Sequence, residues 1–110
     1  MAPQLTNNIA LGVGAGRLQE AIEFHRRALG FTLVQTQPQW AELHSGPLHL
    51  FLVEKTLGTP TFELQVENQA SAMDELIAQG CEEIRLESAP PTDRFVRTPY
   101  GHHFCITEGS

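Results

Sequence analysis

A strand, a helix and a closing glycine occur twice in this chain of 110 residues, and the repeat restricts its fold more than any single motif does. In the first copy, apolar residues alternate over residues 8–13 as in a strand with one apolar face, and a helical pattern follows before Gly30. In the second copy, residues 61–67 alternate in the same way, and a helical pattern begins after Asn68 and ends at Gly80. Corresponding points lie roughly fifty positions apart, which indicates a duplicated fold.

Each half of the chain continues with further strand patterns that are separated by turn-forming residues. These patterns cover residues 31–36, 40–44 and 48–53 in the first half, and residues 83–87, 94–97 and 102–107 in the second. The sequence therefore predicts an α+β fold in which a β-α-β-β-β module occurs twice. We expect one domain over residues 1–110, with module 1 at about 7–54, module 2 at about 61–108, and a connection at 54–60.

Composition and charge exclude several classes of partner. The net charge of −6 disfavours nucleic-acid backbones and anionic membranes, and no apolar run approaches the ~20 residues of a membrane span. The opening residues lack the pattern of a secretion signal, and Cys81 and Cys105 do not form a disulfide framework. We therefore predict a cytoplasmic protein whose partner is a small molecule or another protein.

Three segments carry a resemblance to the vicinal oxygen chelate superfamily, which includes glyoxalase I, bleomycin-resistance proteins and extradiol dioxygenases. They are Ala-Ile-Glu-Phe at 21–24, Leu-Gly-Phe at 29–31, and Thr-Pro-Tyr-Gly at 98–101. Thr98 stands where the superfamily usually has Asp, and His25 stands where it commonly has Tyr. The resemblance implies that the curved mixed sheets of the two modules form a cup with the helices outside, and that the chain is a homodimer.

The alternation of side chains predicts which residues face this cup. If Ile9, Leu11 and Val13 pack beneath the first helix, the intervening residues face away from it, and the same parity applies to the neighbouring strands. Polar groups and large aromatic side chains on one concave surface are typical of a small-molecule pocket. The residues predicted to bind a ligand are Asn8, Trp40, Glu42, His44, His49, Phe51, Thr61, Glu63, His103 and Cys105.

Metal-dependent members of the superfamily place one ligand on the first and last strand of each module. Carried over by resemblance, these positions are Asn8, His49, Thr61 and Cys105. His49 is a common metal ligand and a Cys105 thiolate can bind a metal, but amide and hydroxyl side chains are poor ligands for zinc, iron or nickel. The usual metal site is therefore predicted to be lost, and no cofactor is expected.

A rearranged metal site is the alternative that the same residues leave open. Two imidazoles and a carboxylate can hold a divalent metal, and Glu42 faces the cup together with several such groups. The alternative set is His49 with His44, Glu63 or His103.

Two functional hypotheses follow. The first is a glyoxalase- or bleomycin-resistance-like protein that binds a small aromatic or cationic molecule without the usual metal. Glu42, Glu63 and Glu67 would favour a cation, and Trp40 and Phe51 would provide stacking or cation–π contacts. The second is a metal-dependent lyase, isomerase or dioxygenase of the same superfamily with rearranged ligands. Neither hypothesis assigns a catalytic residue.

Overall fold

The computed structural model describes residues 3–54, 59–85 and 92–109. By their contacts they divide into a first unit of residues 7–60 and a second unit that joins the segment before residue 7 to the residues from 61 onward. The elements in chain order are β1 (Gln4–Gly12), α1 (Leu18–Arg27), β2 (Thr32–Thr36), β3 (Trp40–Ser45), β4 (Leu48–Val53), β5 (Thr61–Val66), α2 (Gln69–Ala78), β6 (Glu82–Ile84), β7 (Arg94–Arg97) and β8 (His103–Glu108).

The two units repeat one sheet topology. In the first unit the strand order is β2-β3-β4-β1, with β1 parallel to β4 and the other pairs antiparallel. In the second unit the order is β5-β8-β7-β6, with β5 parallel to β8 and the other pairs antiparallel. The predicted α+β class and the duplicated β-α-β-β-β order are therefore confirmed.

The core of the first unit lies between α1 and one face of its sheet. Leu18 and Ile22 project from α1 onto Ala41 and Leu43 of β3 and Leu52 of β4, and all five are buried. Full burial of a leucine or isoleucine side chain contributes roughly 1.5–3 kcal/mol to the stability of the fold. Burial of these side chains therefore determines which face of each strand lies against α1. The alternate residues of β3 and β4 consequently point to the other side of the sheet, which we call the helix-free face.

The second unit has an equivalent core. Met73 of α2 is fully buried against Val66, Val96 and Ile106 of the sheet, with Leu76 packed at the edge of this cluster. The sequence predicts an apolar stripe of Met73, Leu76 and Ile77 on this helix. Met73 and Leu76 lie in the core as predicted, whereas Ile77 is 45% exposed.

Local signals at the helix ends also agree with the sequence. After α1, the Phe31 amide donates to the His25 carbonyl at 3.1 Å, a helix-closing hydrogen bond that requires the left-handed φ of +74° found at Gly30. At the start of α2, the Ser71 amide donates to Asn68 Oδ1 at 2.9 Å, so Asn68 is the N-cap of the helix whose start the sequence predicts at this residue.

Several predicted boundaries differ from the structure. Strand β1 already begins at Gln4, and β6 covers residues 82–84, whereas we predicted 8–13 and 83–87. The predicted break at 89–91, the end of the predicted 83–87 strand and most of the 54–60 connection lie outside the described residues. Among the residues described, neither helix has the length and apolar character needed to cross a membrane.

Candidate functional site

The ten predicted ligand-binding residues divide between the two units. The first unit contains Asn8, Trp40, Glu42, His44, His49 and Phe51, and the second contains Thr61, Glu63, His103 and Cys105. In the first unit, the strand register brings most of them together. Glu42 lies opposite Phe51, His44 lies opposite His49, and His49 is also paired with Asn8 on β1.

Glu42 and His44 form a hydrogen-bonded pair on the helix-free face. They are two residues apart on β3, so their side chains share a face, and His44 Nε2 lies 2.7 Å from Glu42 Oε2. The Glu42 side chain is only 14% exposed and that of His44 is 35% exposed. The Glu42 side chain as a whole is therefore mostly covered by its neighbours.

A third group, Gln35 of β2, orients this carboxylate. Its Nε2 donates to Glu42 Oε1 at 2.8 Å. This bond, followed by the one from His44, lowers the pKa of Glu42 below its usual value, because both donors stabilise the charged form. Glu42 is therefore ionised at neutral pH.

Gln35 was not among the predicted site residues because its position depends on a bulge. Leu33 pairs with Leu43, but the next pair is Gln35 with Glu42, so Val34 is an extra residue in β2. In a regular strand without the bulge, Val34 would pair with Glu42, and the side chain of Gln35 would point to the other side of the sheet. The sequence carries no glycine or proline at this point to signal the irregularity.

Two imidazole rings stack beside the carboxylate. The His44 and His49 ring centroids are 4.2 Å apart, with an angle of 13° between the ring planes. The two residues are direct cross-strand neighbours, which is the closest arrangement that adjacent strands offer to side chains. One ligand atom each from Glu42, His44 and His49 lies within 4.8 Å of the other two.

An aromatic pair lies in the neighbouring rows of the same face. Trp40 and Phe51 approach with ring centroids 6.0 Å apart at an angle of 51°, and both are half-buried. This geometry is within the range of favourable aromatic contacts. Phe51 is also the cross-strand partner of Glu42, so an aromatic surface adjoins an ionised carboxylate.

The predicted residues of the second unit have different surroundings. Thr61 is buried, and Glu63 accepts a hydrogen bond from Thr6 Oγ1 at 2.6 Å. His103 is half-buried and pairs with Thr61. Burial, followed by the charges of Asp93 and Glu63, raises the pKa of the Cys105 thiol to about 12.

The residues at the four positions implied by the superfamily do not fit a metal. Metal binding by cysteine needs a thiolate, and the raised pKa of Cys105 disfavours that form. Asn8 and Thr61 supply only an amide and a hydroxyl, which leaves His49 as the one effective ligand of that set.

Comparison with known proteins agrees with this fold. A family model described as the glyoxalase-like domain matches residues 10–107. No curated protein matches the chain. Among solved structures, a glyoxalase/bleomycin resistance protein/dioxygenase superfamily member from Vibrio splendidus 12B01 has a TM-score of 0.64 at 17% identity, with 97% of this chain and 98% of that chain covered.

Two other solved structures are comparably similar. A hypothetical protein from Bacillus halodurans C-125 has a TM-score of 0.66 at 16% identity, with 100% of this chain and 96% of that chain covered. The structure of an NAD-dependent benzaldehyde dehydrogenase from Legionella pneumophila has a TM-score of 0.67 at 13% identity, with 94% and 98% covered. At these identities the likeness shows the fold alone. The family model covers most of the chain, which therefore belongs to the glyoxalase-like domain family, within the vicinal oxygen chelate superfamily.

Proposed function

We propose that this protein binds a small, flat, cationic molecule on the helix-free face of the first unit, without the metal set usual in its superfamily. The observation that carries the proposal is the Trp40–Phe51 ring pair next to the ionised carboxylate of Glu42. Aromatic surface and negative charge together favour aromatic cations over neutral or anionic molecules of the same shape.

The two rings supply the contact area. Trp40 and Phe51 are half-buried, so part of each ring is available to a ligand while the rest is held by the sheet. A cation over such a ring is stabilised by roughly 0.5–2 kcal/mol, with the larger values at sites withdrawn from water. Tryptophan provides the strongest contact of this kind, so Trp40 is the principal binding residue of the proposal.

Glu42 supplies the charge. Its carboxylate receives one hydrogen bond on each oxygen, from Gln35 and from His44, and a carboxylate has about four lone-pair sites in all. A cationic ligand therefore finds acceptor capacity still available on an oriented carboxylate. The net charge of −6 adds a long-range attraction for cations.

The fluorescence of Trp40 provides a direct test, because Trp40 is the single tryptophan of the chain. N-methylacridinium is a permanent flat cation, and acridine at pH 8 is its neutral counterpart. With a chelator present to exclude metals, we expect N-methylacridinium to quench Trp40 saturably and to raise the melting temperature. At a hundred times its Kd a ligand adds about 2.7 kcal/mol to the free energy of unfolding.

Matched variants separate the site from general electrostatics. Phe51→Ala keeps the reporter and should weaken N-methylacridinium binding by roughly 2- to 30-fold, the equivalent of one cation–π contact. Glu42→Gln should weaken binding of the cation but not of acridine. Glu20→Gln makes the same charge change on exposed α1 and should weaken binding of the cation much less than Glu42→Gln does. Equal losses in Glu42→Gln and Glu20→Gln, or no quenching in the parent protein, would contradict the proposal.

The predicted homodimer, cytoplasmic location and small-molecule partner remain predictions. Light scattering coupled to size exclusion measures the first directly, and a homodimer has twice the 12.2 kDa mass of one chain.

A further inference from the structure

The cluster of Glu42, His44 and His49 offers a second chemistry, because the proposed organic ligand uses only Glu42 of the three. We propose that these three side chains bind one first-row divalent transition-metal ion on the helix-free face of the first unit. This set shares only His49 with the four positions implied by the superfamily. It lies on a single pair of neighbouring strands, β3 and β4.

The donor set matches this class of metal. Two imidazole nitrogens and one carboxylate oxygen are typical ligands of zinc, iron, cobalt and nickel, and three protein ligands leave positions open for water or a substrate. Hard cations such as Mg²⁺ and Ca²⁺ prefer sites made entirely of oxygen, so the two imidazoles select against them.

The ligand atoms need to move closer together to share one metal ion. In a tetrahedral site, ligand atoms about 2.1 Å from the metal lie about 3.4 Å from one another. The corresponding atoms of the cluster lie within 4.8 Å of one another, so the widest pair needs to close by up to about 1.4 Å. We expect rotation of the three side chains about their own bonds to supply this movement.

The supporting residues already resemble the outer shell of a metal site. Gln35 holds Oε1 of Glu42, which orients the carboxylate while Oε2 faces His44. Hydrogen bonds of this kind fix the orientation of metal ligands. Beneath the cluster, Leu43 and Leu50 are buried on the opposite face and anchor both strands.

Cobalt is the probe for this proposal, because bound Co²⁺ has visible absorption bands that report its ligands. The full chain, without a histidine tag and stripped with a chelator that is then removed, is titrated with Co²⁺ alone. We expect saturation at one equivalent, with visible bands but no near-ultraviolet thiolate-to-cobalt band. Zn²⁺ should displace the cobalt and abolish the bands.

Conservative variants test each ligand. His44→Gln, His49→Gln and Glu42→Gln should each weaken Co²⁺ binding by more than about tenfold, the least that even outer-shell partners of a metal contribute. His102→Gln makes the matched change at an exposed turn and should bind like the parent protein. Thermal unfolding of the metal-free variants shows that each one is folded.

Three results would overturn the metal site: no Co²⁺ binding by the parent protein, binding within about twofold of parental in the three ligand variants, or a thiolate band that shows cysteine ligation. The test contains no organic ligand, and the acridinium test contains a chelator. Failure of the metal site is therefore distinguishable from failure of the proposed function.

Discussion

The two units share a topology but differ in the chemistry of their helix-free faces. By register, Thr61 is paired with His103 as Asn8 is paired with His49, so His103 takes the place of His49. Opposite His103, however, stands Arg97 rather than a second histidine, and Arg97 forms an ion pair with Glu82. A guanidinium has no acceptor atom for a cation, whereas the imidazole at that position in the first unit has one.

The next pair of cross-strand neighbours on this face also differs between the two units. Phe95 lies opposite Cys105 in the second unit, whereas Glu42 lies opposite Phe51 in the first. The second unit thus has a buried phenylalanine in the place of the ionised carboxylate. A duplicated backbone keeps its apolar core but imposes nothing on the face away from the helix, and there the two copies have different residues.

The largest expected effect tests whether the two cores are equivalent. Leu52 and Ile106 occupy corresponding register positions and are both fully buried. We expect Leu52→Ala and Ile106→Ala each to lower the free energy of unfolding by about 2–5 kcal/mol, measured by urea denaturation, because each leaves a cavity. Leu48→Ala, at the 40% exposed start of β4, is the control and should cost less than about 1 kcal/mol. A small loss in only one of the two core variants would show that the cores are not equivalent.

An intermediate effect concerns Cys105, which has in the second unit the register position that Phe51 has in the first. With its pKa raised to about 12, Cys105 has on the order of a thousandfold less thiolate at pH 8 than an ordinary thiol. The higher intrinsic nucleophilicity of such a thiolate recovers part of this loss. We expect alkylation of native Cys105 by iodoacetamide to be roughly ten- to a hundredfold slower than in urea, as followed by peptide mass spectrometry.

The pH dependence of this reaction has a definite sign. A raised pKa means that the thiolate fraction of native Cys105 keeps increasing up to about pH 12, whereas that of the urea-unfolded thiol levels off above about pH 9. The factor by which alkylation of native Cys105 is slower than alkylation of the unfolded thiol should therefore decrease as the pH rises from 8 to 11. A constant ratio would show that steric protection alone slows the native reaction.

The smallest expected effect distinguishes the starts of the two helices. Asn68 caps α2 through the Ser71 amide, whereas Arg17 at the start of α1 makes no capping hydrogen bond with its side chain. Asn68→Ala should lower stability by about 1 kcal/mol. Arg17→Ala, which removes only an exposed ion pair with Glu20, should change it by less than that in thermal unfolding. Equal losses would contradict the assignment of Asn68 as a cap.

The sequence predicted the faces of β3 and β4 because both strands are regular and alternate strictly. Trp40, Glu42 and His44 therefore lie on the helix-free face, as expected from the apolar residues between them. The contact of Gln35 with Glu42 was missed because the bulge at Val34 inverts the parity of β2. Alternation also predicts only the face of the sheet on which a side chain lies. The stacking of His44 on His49 depends on register, which the turn between β3 and β4 sets.

The turn that joins β3 to β4 also determines how the candidate metal ligands are inherited. All three lie within residues 42–49, on the two arms of one hairpin whose turn contains Gly46 with a φ of +57°. Bringing them together closes only a short loop, and the entropic penalty of closure grows with the length of chain enclosed. A ligand set drawn from four strands needs both copies of the duplication, whereas the ligand set of Glu42, His44 and His49 is contained in a single stretch of sequence. Substitutions in the second unit can therefore accumulate without separating the three groups from one another.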